Sequence, residues 1–490
     1  MTVDNVAPNG GEGINHDEIQ ARRYAEPDWE NWTTTPTDLD WPVQMFMQHN
    51  PNVVFDGDTL LNYDAGCYRA INTENTLREF LERFDVVIER RNDYPLRVHY
   101  RATPARIKQF AAKLAEEIKL SPYDPVPHWR YPPYDRDDDA PAPANQCLCF
   151  ENAIVNALTG ETTRPTPHLL STTGFDFNYD PHATCELWQK TVNDYWPLKS
   201  DGTLADEALL LQEMFGYLLL PKTDLHKIFM LIGSGRNGKG TITRLLTYLL
   251  GRPHVAFISM HDLSARYSRA GFIGKRLAIV GEGTFGTKDD TVTATTFLKT
   301  VSGEDEITIR RNGGRAPWTG ILRTRFLITA NTIPEFVDDS PALSLRTVSI
   351  PFTRTFSDDE RDTALDGKLQ AEAAGIINWT ITGYQRVMKA QKFTLPAASV
   401  QLTARIAQTA SRGILSFIED FCDLTDIGAT VTERELYAAY RQWCADNGIR
   451  VISKSKFLNA LLAAKPALAQ YRPRDGGVRE RSLRGVRLIP

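Results

Sequence analysis

The sequence predicts an α/β protein in which helices cover a parallel sheet, followed by a smaller helical domain. Helical and strand patterns alternate from about residue 204 to 390, which is typical of strand–helix–strand units. Within that region an apolar strand over 228–232 runs directly into a glycine-rich turn and then a helix. Beyond residue 413, three helical patterns precede an arginine-rich stretch, which predicts the additional domain.

Length and composition narrow the class of protein. A chain of 490 residues predicts several domains, each with its own core. The net charge of −5 neither predicts nor excludes nucleic-acid binding, because such binding needs only a local basic surface. The six cysteines include no C-x-x-C pair, so we expect a reduced, cytoplasmic protein. We expect Cys147 and Cys149 on opposite faces of a strand rather than in a zinc site. No apolar run reaches the ~18 residues of a membrane helix.

Domain boundaries follow changes in composition. Residues 1–40, rich in Asn, Gly, Pro and acids, predict a flexible arm, and 41–203 predict an α+β domain. The α/β region covers 204–390. Residues 391–412 form either a linker or a connecting helix, and 413–490 form the last domain.

The turn after the apolar strand predicts a phosphate-binding loop. Its glycines allow backbone N–H groups to point at phosphates, and the next helix presents its positive N-terminus to the same anion. The alternative is a glycine-rich turn with a chance lysine, but the flanking strand and helix favour the loop. The candidate nucleotide contacts are Gly233, Ser234, Gly235, Arg236, Asn237, Gly238, Lys239, Gly240 and Thr241.

One position departs from the usual loop pattern. A Ser or Thr directly after the lysine normally ligates Mg²⁺, but Gly240 stands there and Thr241 follows one place later. Thr241 is therefore a candidate metal ligand only through a shifted loop or a bridging water. Otherwise metal binding depends on Glu282 and on the nucleotide itself.

Two more predicted strands end in polar side chains. Glu282 follows the apolar stretch 277–281, where an acid can serve as catalytic base, Mg²⁺ ligand or both. Asn331 follows 325–330, where an amide can contact a γ-phosphate or the attacking water. The alternatives are a surface glutamate after a core strand and an asparagine in the turn before Pro334.

Arg346 belongs to a further predicted strand over 344–352. An arginine on a strand edge is usually just solvated. In ring ATPases, however, such an arginine reaches the neighbouring subunit's nucleotide and stabilises charge in the transition state. We therefore treat Arg346, with Lys239, Glu282 and Asn331, as a candidate catalytic residue.

Two basic elements predict contacts with DNA. Alternating residues 306–311 followed by Asn-Gly-Gly predict a hairpin. It is either a translocation element or an ordinary hairpin with solvated arginines. The second element, three helices and a basic hairpin, predicts a winged helix that contacts DNA or an acidic protein. The candidate DNA contacts are Lys299, Arg310, Arg311 and Arg315 near the first hairpin, and Arg472, Arg474, Arg479 and Arg481 in the second.

Taken together, these motifs resemble the superfamily 3 helicase region of phage and plasmid primase-helicases, the family that includes satellite-phage and poxvirus replicative helicases. The phosphate loop, the strand before Glu282, the segment before the first hairpin, the asparagine strand and the position of Arg346 all match in order. The stretches that carry the resemblance are 211–219, 235–241, 275–282, 297–305, 329–334 and 346–352, with 61–68, 150–153, 436–444 and 453–461 outside the α/β region.

The resemblance implies an AAA+-like phosphate-loop ATPase core, a helicase-associated N-terminal domain over 41–203 and a C-terminal winged helix. It also implies a homo-hexameric ring that uses ATP and Mg²⁺. Such a ring moves along single-stranded and forked DNA, usually in the 3′ to 5′ direction, and we expect no membrane partner. Arg346 would then act on the adjacent protomer's nucleotide. Asp56-Gly57-Asp58 imitates a metal-binding pair but is predicted as a turn. We therefore expect no primase domain here and a possible separate primase or polymerase as partner.

Two other functions fit part of the pattern. A nucleotide-gated, origin-recognising DNA-binding ATPase without unwinding would also need the loop and the basic elements, although the four candidate catalytic residues favour turnover. A nucleotide kinase can share the Gly-Lys-Gly-Thr sequence. The long N-terminal part, the hairpin and the winged helix argue against a kinase.

Overall fold

The computed structural model of this chain describes residues 33–34, 39–88, 96–99, 101–121, 123, 126–130, 142–220, 224–281, 287–311, 316–334, 336, 342–410, 412–447, 451, 453–465, 467–471 and 481–489. The chain divides into two compact units, Met1–Tyr63 with Arg69–Ser121, and Asp64–Tyr68 with Pro122–Pro490. Most of the predicted N-terminal arm, residues 1–40, lies outside the described residues. Within it, Thr33–Thr34 pair with Asp85 and Val86, and Leu39 and Asp40 lie at the start of a helix.

The first unit is built from short strands and three amphipathic helices. Apolar side chains of the helices meet in one core, where the rings of Phe46 and Phe80 pack edge to face with centroids 4.9 Å apart. The elements in this part of the chain are β1 (Thr33–Thr34), α1 (Asp40–His49), β2 (Val53–Asp56), β3 (Thr59–Asp64), β4 (Cys67–Ala70), α2 (Thr73–Leu81), β5 (Asp85–Ile88), β6 (Leu96–His99) and α3 (Pro104–Ile118).

The Asp56-Gly57-Asp58 sequence is a hairpin turn. Strands β2 and β3 pair antiparallel with Asp56 opposite Thr59, which leaves only Gly57 and Asp58 between them. Gly57 adopts φ +61°, a conformation that favours glycine. The turn predicted from the sequence is therefore confirmed.

The second unit begins with small antiparallel sheets and two helices. Cys147 and Cys149 lie in one buried cluster, whereas Leu148 between them packs in another. The prediction of opposite faces was wrong, because residues two apart on a strand share a face. The elements are β7 (His128–Trp129), β8 (Cys147–Cys149), β9 (Ile154–Asn156), β10 (Thr162–Thr163), β11 (Leu169–Leu170), α4 (Glu186–Tyr195) and α5 (Asp206–Leu219), with a 3₁₀ turn at Ala144–Gln146.

A five-stranded parallel sheet follows, in the order β13 (Val255–Ile258), β14 (Leu277–Val280), β17 (Arg325–Ala330), β12 (Ile228–Ile232) and β18 (Thr347–Pro351). The predicted parallel sheet is thus confirmed. Its elements and their connections are β12 (Ile228–Ile232), α6 (Lys239–Leu250), β13 (Val255–Ile258), α7 (Met260–Ser264), β14 (Leu277–Val280), α8 (Lys288–Ser302), β15 (Glu306–Ile309), β16 (Trp318–Ile321), β17 (Arg325–Ala330), α9 (Ala342–Arg346), β18 (Thr347–Pro351), α10 (Leu365–Ala371), α11 (Ala373–Ala390) and α12 (Ala397–Ala410), with 3₁₀ turns at Arg252–His254 and Ser268–Phe272.

Helices cover both faces of this sheet. Along β12, Phe229 and Leu231 enter a core shared with α5, α6 and α11, while Ile228, Met230 and Ile232 enter a second core shared with α8. This alternation follows from the two-residue period of a strand. Because the central strand is buried on both faces, its continuous apolar run indicates a parallel strand rather than a half-exposed one.

The C-terminal part consists of three helices and short strands. Strand β22 pairs antiparallel with β20 and β21, with Tyr471 opposite Ser482, so the second predicted hairpin is confirmed. Its tip, which carries Arg472, Arg474 and Arg479, lies outside the described residues. The elements are α13 (Arg412–Phe421), β19 (Cys422–Asp423), β20 (Thr430–Thr432), α14 (Glu433–Asp446), α15 (Lys454–Ala464), β21 (Ala469–Tyr471), β22 (Ser482–Arg484) and β23 (Arg487–Leu488).

Two local predictions are settled by the fold. The segment left open as a linker or a helix contains α12, whose Thr403 hydroxyl lies 3.4 Å from the hydroxyl of Ser349 on β18. Arg346 was predicted on a strand but is the last residue of the short helix α9, and β18 begins at Thr347. In the described part of the chain, no helix is both long and apolar enough to cross a membrane.

Candidate active site

The glycine-rich loop starts at the carboxyl end of the central strand. Strand β12 lies between β17 and β18 and is buried along its whole length. Gly233 follows it and donates its N–H to Ala330 O at 3.2 Å. A Cβ on Gly233 would lie 2.1 Å from the carbonyl oxygen of Phe352, so only glycine fits this position.

The loop turns back through two residues with positive φ. Arg236 adopts φ +61° and Gly238 adopts φ +87°, and Gly238 then caps helix α6. A Cβ on Gly238 would come 2.4 Å from the ring of Tyr195. Both the backbone angle and the close approach therefore require glycine at 238.

Lys239 lies inside the loop rather than in solvent. Its side chain is only 7% exposed. The Nζ atom donates to Gly233 O at 2.5 Å, to Asn237 Oδ1 at 3.1 Å and to Asn331 Oδ1 at 3.2 Å. The fold thus brings together two predicted catalytic residues, Lys239 and Asn331, at one edge of the sheet.

The donors around the loop suit a polyphosphate. Helix α6 points its N-terminus at the loop, and Lys239 supplies a positive charge beside it. Asn237 is 2% exposed, and its buried Nδ2 makes no hydrogen bond to any described residue. Burying a hydrogen-bond donor without an acceptor is unfavourable. An anionic oxygen bound in the loop would supply the acceptor that Asn237 Nδ2 lacks.

The candidate Mg²⁺ ligands, Thr241 and Glu282, are less well defined than the phosphate-binding groups. Thr241 is half-buried, and its hydroxyl oxygen lies 3.4 Å from Arg244 Nη2. Burial raises the pKa of Tyr195 to about 12, so the phenol stays protonated and neutral. Glu282 lies just beyond the described residues, two positions after β14 ends at Val280. Among the described side chains, no group of three or more His, Cys, Asp or Glu could hold a metal ion.

A segment after β18 is tied to the loop and to the first turns of α6. Phe356 donates its N–H to Arg236 O at 2.9 Å, and Arg236 pairs with Asp358 at 2.9 Å. Arg244 forms a two-point ion pair with Asp366, at 2.6 and 3.2 Å. These exposed pairs fix the position of the loop side chains more than they stabilise the fold.

Arg346 lies at the other edge of the sheet. In the parallel register Thr347 is opposite Ile228 and Pro351 is opposite Ile232, so Arg346 is at the strands' amino ends. Five residues of strand separate it from the loop by about 16 Å at ~3.3 Å per residue. Its Nη1 donates to Lys299 O at 2.5 Å and to Ser302 Oγ at 3.1 Å, at the C-terminus of α8.

A second cation lies beside Arg346. Lys227, at the amino end of β12, donates from Nζ to Leu345 O at 2.7 Å. Burial lowers the pKa of Lys227, and the nearby charge of Arg346 lowers it further. The amino-end edge of the sheet therefore carries two neighbouring positive charges, those of Lys227 and Arg346.

The candidate DNA contacts are distributed over the first hairpin and the C-terminal part. Arg310 is exposed, whereas Arg311 donates from Nε to Ala316 O at 3.0 Å and closes the hairpin stem. Lys299 is half-buried and Arg481 is exposed. Arg315, Arg472, Arg474 and Arg479 lie outside the described residues, so their roles stay predictions.

The sequence pattern did not identify Tyr195 and Arg244, which contact Gly238 and Thr241 of the loop, or Asp366, which pairs with Arg244. Arg244 could have been found, because it lies four residues after Gly240 and so on the same face of α6. Tyr195 and Asp366 come from distant parts of the chain, and no local pattern connects them to the loop.

Comparison with known proteins identifies three family matches. A family described as D5 N terminal like matches residues 43–197, a family of unknown function (DUF5906) matches 231–346, and a family described as Poxvirus D5 protein-like matches 413–472. Two structures of the NrS-1 C-terminal region, both apo, match 92% of this chain and 99% of their own, with 11% identity and TM-scores of 0.42 and 0.47. No curated protein sequence matches.

Proposed function

We propose that this chain is an ATP-driven replicative DNA helicase of the D5 type, because models of D5-like families match residues 43–197 and 413–472. It works as a ring in which ATP lies between neighbouring copies. The observation that carries this proposal is the placement of Lys239 and Arg346 on opposite edges of one parallel sheet. One chain therefore offers a phosphate loop at one edge and an arginine at the other.

The loop edge supplies the binding half of the site. Lys239, the backbone N–H groups of 233–241 and the buried amide of Asn237 bind the phosphates of ATP. Asn331, within hydrogen-bonding distance of Lys239, contacts the γ-phosphate or orients the attacking water. Glu282 acts as the base, and either Glu282 or Thr241 helps to hold Mg²⁺. When bound, Mg²⁺ neutralises charge that develops on the phosphate oxygens.

The opposite edge supplies the arginine. At about 16 Å along the strand from its own loop, Arg346 cannot reach the nucleotide of its own chain. It can reach one held by an adjacent copy, where a guanidinium stabilises the transition state. The sheet order β13-β14-β17-β12-β18 supports an AAA+-like core, since it sets the loop strand between the asparagine strand and the arginine strand.

The basic elements supply the contacts with DNA. The β15–β16 hairpin, with Arg310 exposed beside its tip, is the translocation element on single-stranded DNA. Lys299, Arg311 and Arg315 are further proposed DNA contacts near this hairpin in the sequence. Helices α13 to α15 with the β21–β22 hairpin form a winged helix whose arginines, Arg481 among them, contact the DNA backbone. Ring size six and 3′ to 5′ movement follow from the family resemblance, as does a separate primase or polymerase partner.

ATP hydrolysis and strand separation test the proposal together. Purified protein should hydrolyse ATP with Mg²⁺, faster with single-stranded DNA, and should unwind a labelled forked duplex. Lys239→Ala is the matched control, because it removes the loop cation and should abolish both. Hydrolysis without unwinding would favour the nucleotide-gated DNA-binding ATPase instead, and phosphoryl transfer to a nucleoside monophosphate would favour the kinase.

A further inference from the structure

Arg244 lies directly over the position where the loop departs from its usual pattern. Its guanidinium folds back along α6, and a Cβ on Gly240 would lie 2.9 Å from Nη1. Arg244 Nη2 also lies 3.4 Å from the hydroxyl oxygen of Thr241. The missing side chain at Gly240 therefore makes room for this guanidinium on the first turn of the helix.

One carboxylate orients the Arg244 guanidinium. Asp366, in the first turn of α10, accepts from Nε at 2.6 Å and from Nη2 at 3.2 Å. This two-point pairing fixes the plane of the guanidinium. Nη1, the nitrogen nearest Gly240, makes no hydrogen bond to any side chain or backbone group that the structure describes. Its two N–H donors are consequently available for a ligand.

The charge at this position is unusual for a helix. The first turn of a helix carries the positive end of the helix dipole, which favours anions and disfavours cations. Arg244 belongs to the second turn, but its guanidinium lies beside Gly240 and Thr241 and so adds a positive charge to the first turn, which Lys239 begins. Asp366 is its carboxylate partner among the described residues. An anionic ligand at the N-terminus of α6 would remove this repulsion and would meet the unused Nη1 donors.

We propose that Arg244 is a further nucleotide-binding residue. Its Nη1 donates to a phosphate oxygen of a bound nucleoside di- or triphosphate, from the place where the usual loop pattern has a hydroxyl. Gly240 is thus a specificity-determining position that admits the guanidinium. The inference rests on the proposed function, since it assumes that the loop binds a nucleotide.

Equilibrium binding of a fluorescent ATP analogue tests this role without requiring turnover. Arg244→Ala should weaken binding about tenfold or more, because it removes a charged hydrogen bond to phosphate. The loss should be larger without Mg²⁺, when protein cations alone neutralise the phosphates. Arg361→Ala removes an exposed arginine from the segment between β18 and α10 and is the matched control, with binding unchanged.

A double-mutant cycle tests the link between Gly240 and Arg244. In the native chain, Gly240→Ser should weaken analogue binding, because the added Cβ displaces the guanidinium. In the Arg244→Ala background the same substitution should have little effect or strengthen binding, since the serine hydroxyl then has space to ligate Mg²⁺. Equal effects of Gly240→Ser in both backgrounds would overturn the proposal.

Lys239→Ala separates failure of this inference from failure of the proposed function. If Lys239→Ala abolishes analogue binding while Arg244→Ala binds as tightly as Arg361→Ala, only the role of Arg244 is overturned. If Lys239→Ala binds normally, the loop is not the nucleotide site and the proposed function itself fails.

Discussion

The ammonium nitrogen of Lys239 lies 3.2 Å from the side-chain oxygen of Asn331, although the two residues are 92 positions apart in the sequence. The contact exists because β12 and β17 are neighbours and run parallel, so both residues follow strands that end at the same edge. Asn331 therefore lies where it can contact the same phosphate as Lys239.

Asn331→Ala should lower kcat for ATP about 10²-fold while leaving ATP affinity close to that of the native protein. The reason is that the amide acts mainly on the transferred phosphate or the water, whereas Lys239 and the loop bind the ground state. Steady-state ATPase kinetics with direct binding measurements separate the two effects. Thr332→Ala changes the next exposed residue and is the control; an equal fall in affinity and kcat would contradict the assigned role.

Arg346→Ala should reduce ATP hydrolysis about 10³-fold while nucleotide binding is retained, because the arginine is proposed to act on the nucleotide of the neighbouring copy. Mixing this variant with Lys239→Ala provides the sharper measurement. Both proteins are inactive alone, yet a mixed ring contains interfaces with an intact Lys239 on one side and an intact Arg346 on the other. Recovery of hydrolysis in the mixture is the expected result. An arginine that served its own chain's nucleotide would give no such recovery.

The sequence predicted the elements of the site better than their contacts. The strand, loop and helix around Lys239 could be predicted because local hydrophobic period and glycine spacing determine them. The Lys239–Asn331 contact followed from the parallel sheet. The positions of Tyr195 and Asp366 depend on how distant helices pack on the loop, which no local pattern encodes. Arg346 was placed on a strand because the apolar run of β18 begins at the very next residue.

Gly383→Ala should destabilise the protein by about 1–3 kcal/mol through overpacking. Gly383 lies on α11, and a Cβ there would meet the carbonyl oxygen of Gln212 on α5 at 2.4 Å. Gly367→Ala on α10 is the matched control. A Cβ at Gly367 would have no atom within 4 Å. This substitution should therefore raise the free energy of unfolding by about 0.5–1 kcal/mol, because alanine is the better helix former. Thermal denaturation should therefore show midpoint shifts of opposite sign, and a fall in both would contradict the packing argument.

The buried thiol of Cys149 should make stability decrease at high pH. Burial raises its pKa from 9.0 to about 12 in the folded chain. Below pH 9 the thiol is protonated in both states, and its contribution to stability is complete. As the pH rises from 9 towards 12, only the unfolded thiol ionises, so the free energy of unfolding falls by up to ~1.4 kcal/mol per pH unit.

Urea denaturation at pH 8 and pH 10 measures this dependence. Cys149→Ala lacks the titrating group and should lose less stability between the two pH values than the native protein. An identical loss in both proteins would show that other groups cause the effect.

The parallel register of β12 and β18 also limits how copies of this chain can associate. In the proposed assembly, the contact that completes a nucleotide site would join the carboxyl-end edge of one sheet, which carries the loop, to the amino-end edge of the next, which carries Arg346. A symmetric dimer could make this contact twice only if the loop and Arg346 of each copy both lay in the single twofold interface. Head-to-tail association leaves one unmatched edge at each end of any open chain of subunits. Among head-to-tail assemblies, a closed ring fills every site, whereas a slightly different rotation per subunit would give a filament whose last site is always incomplete.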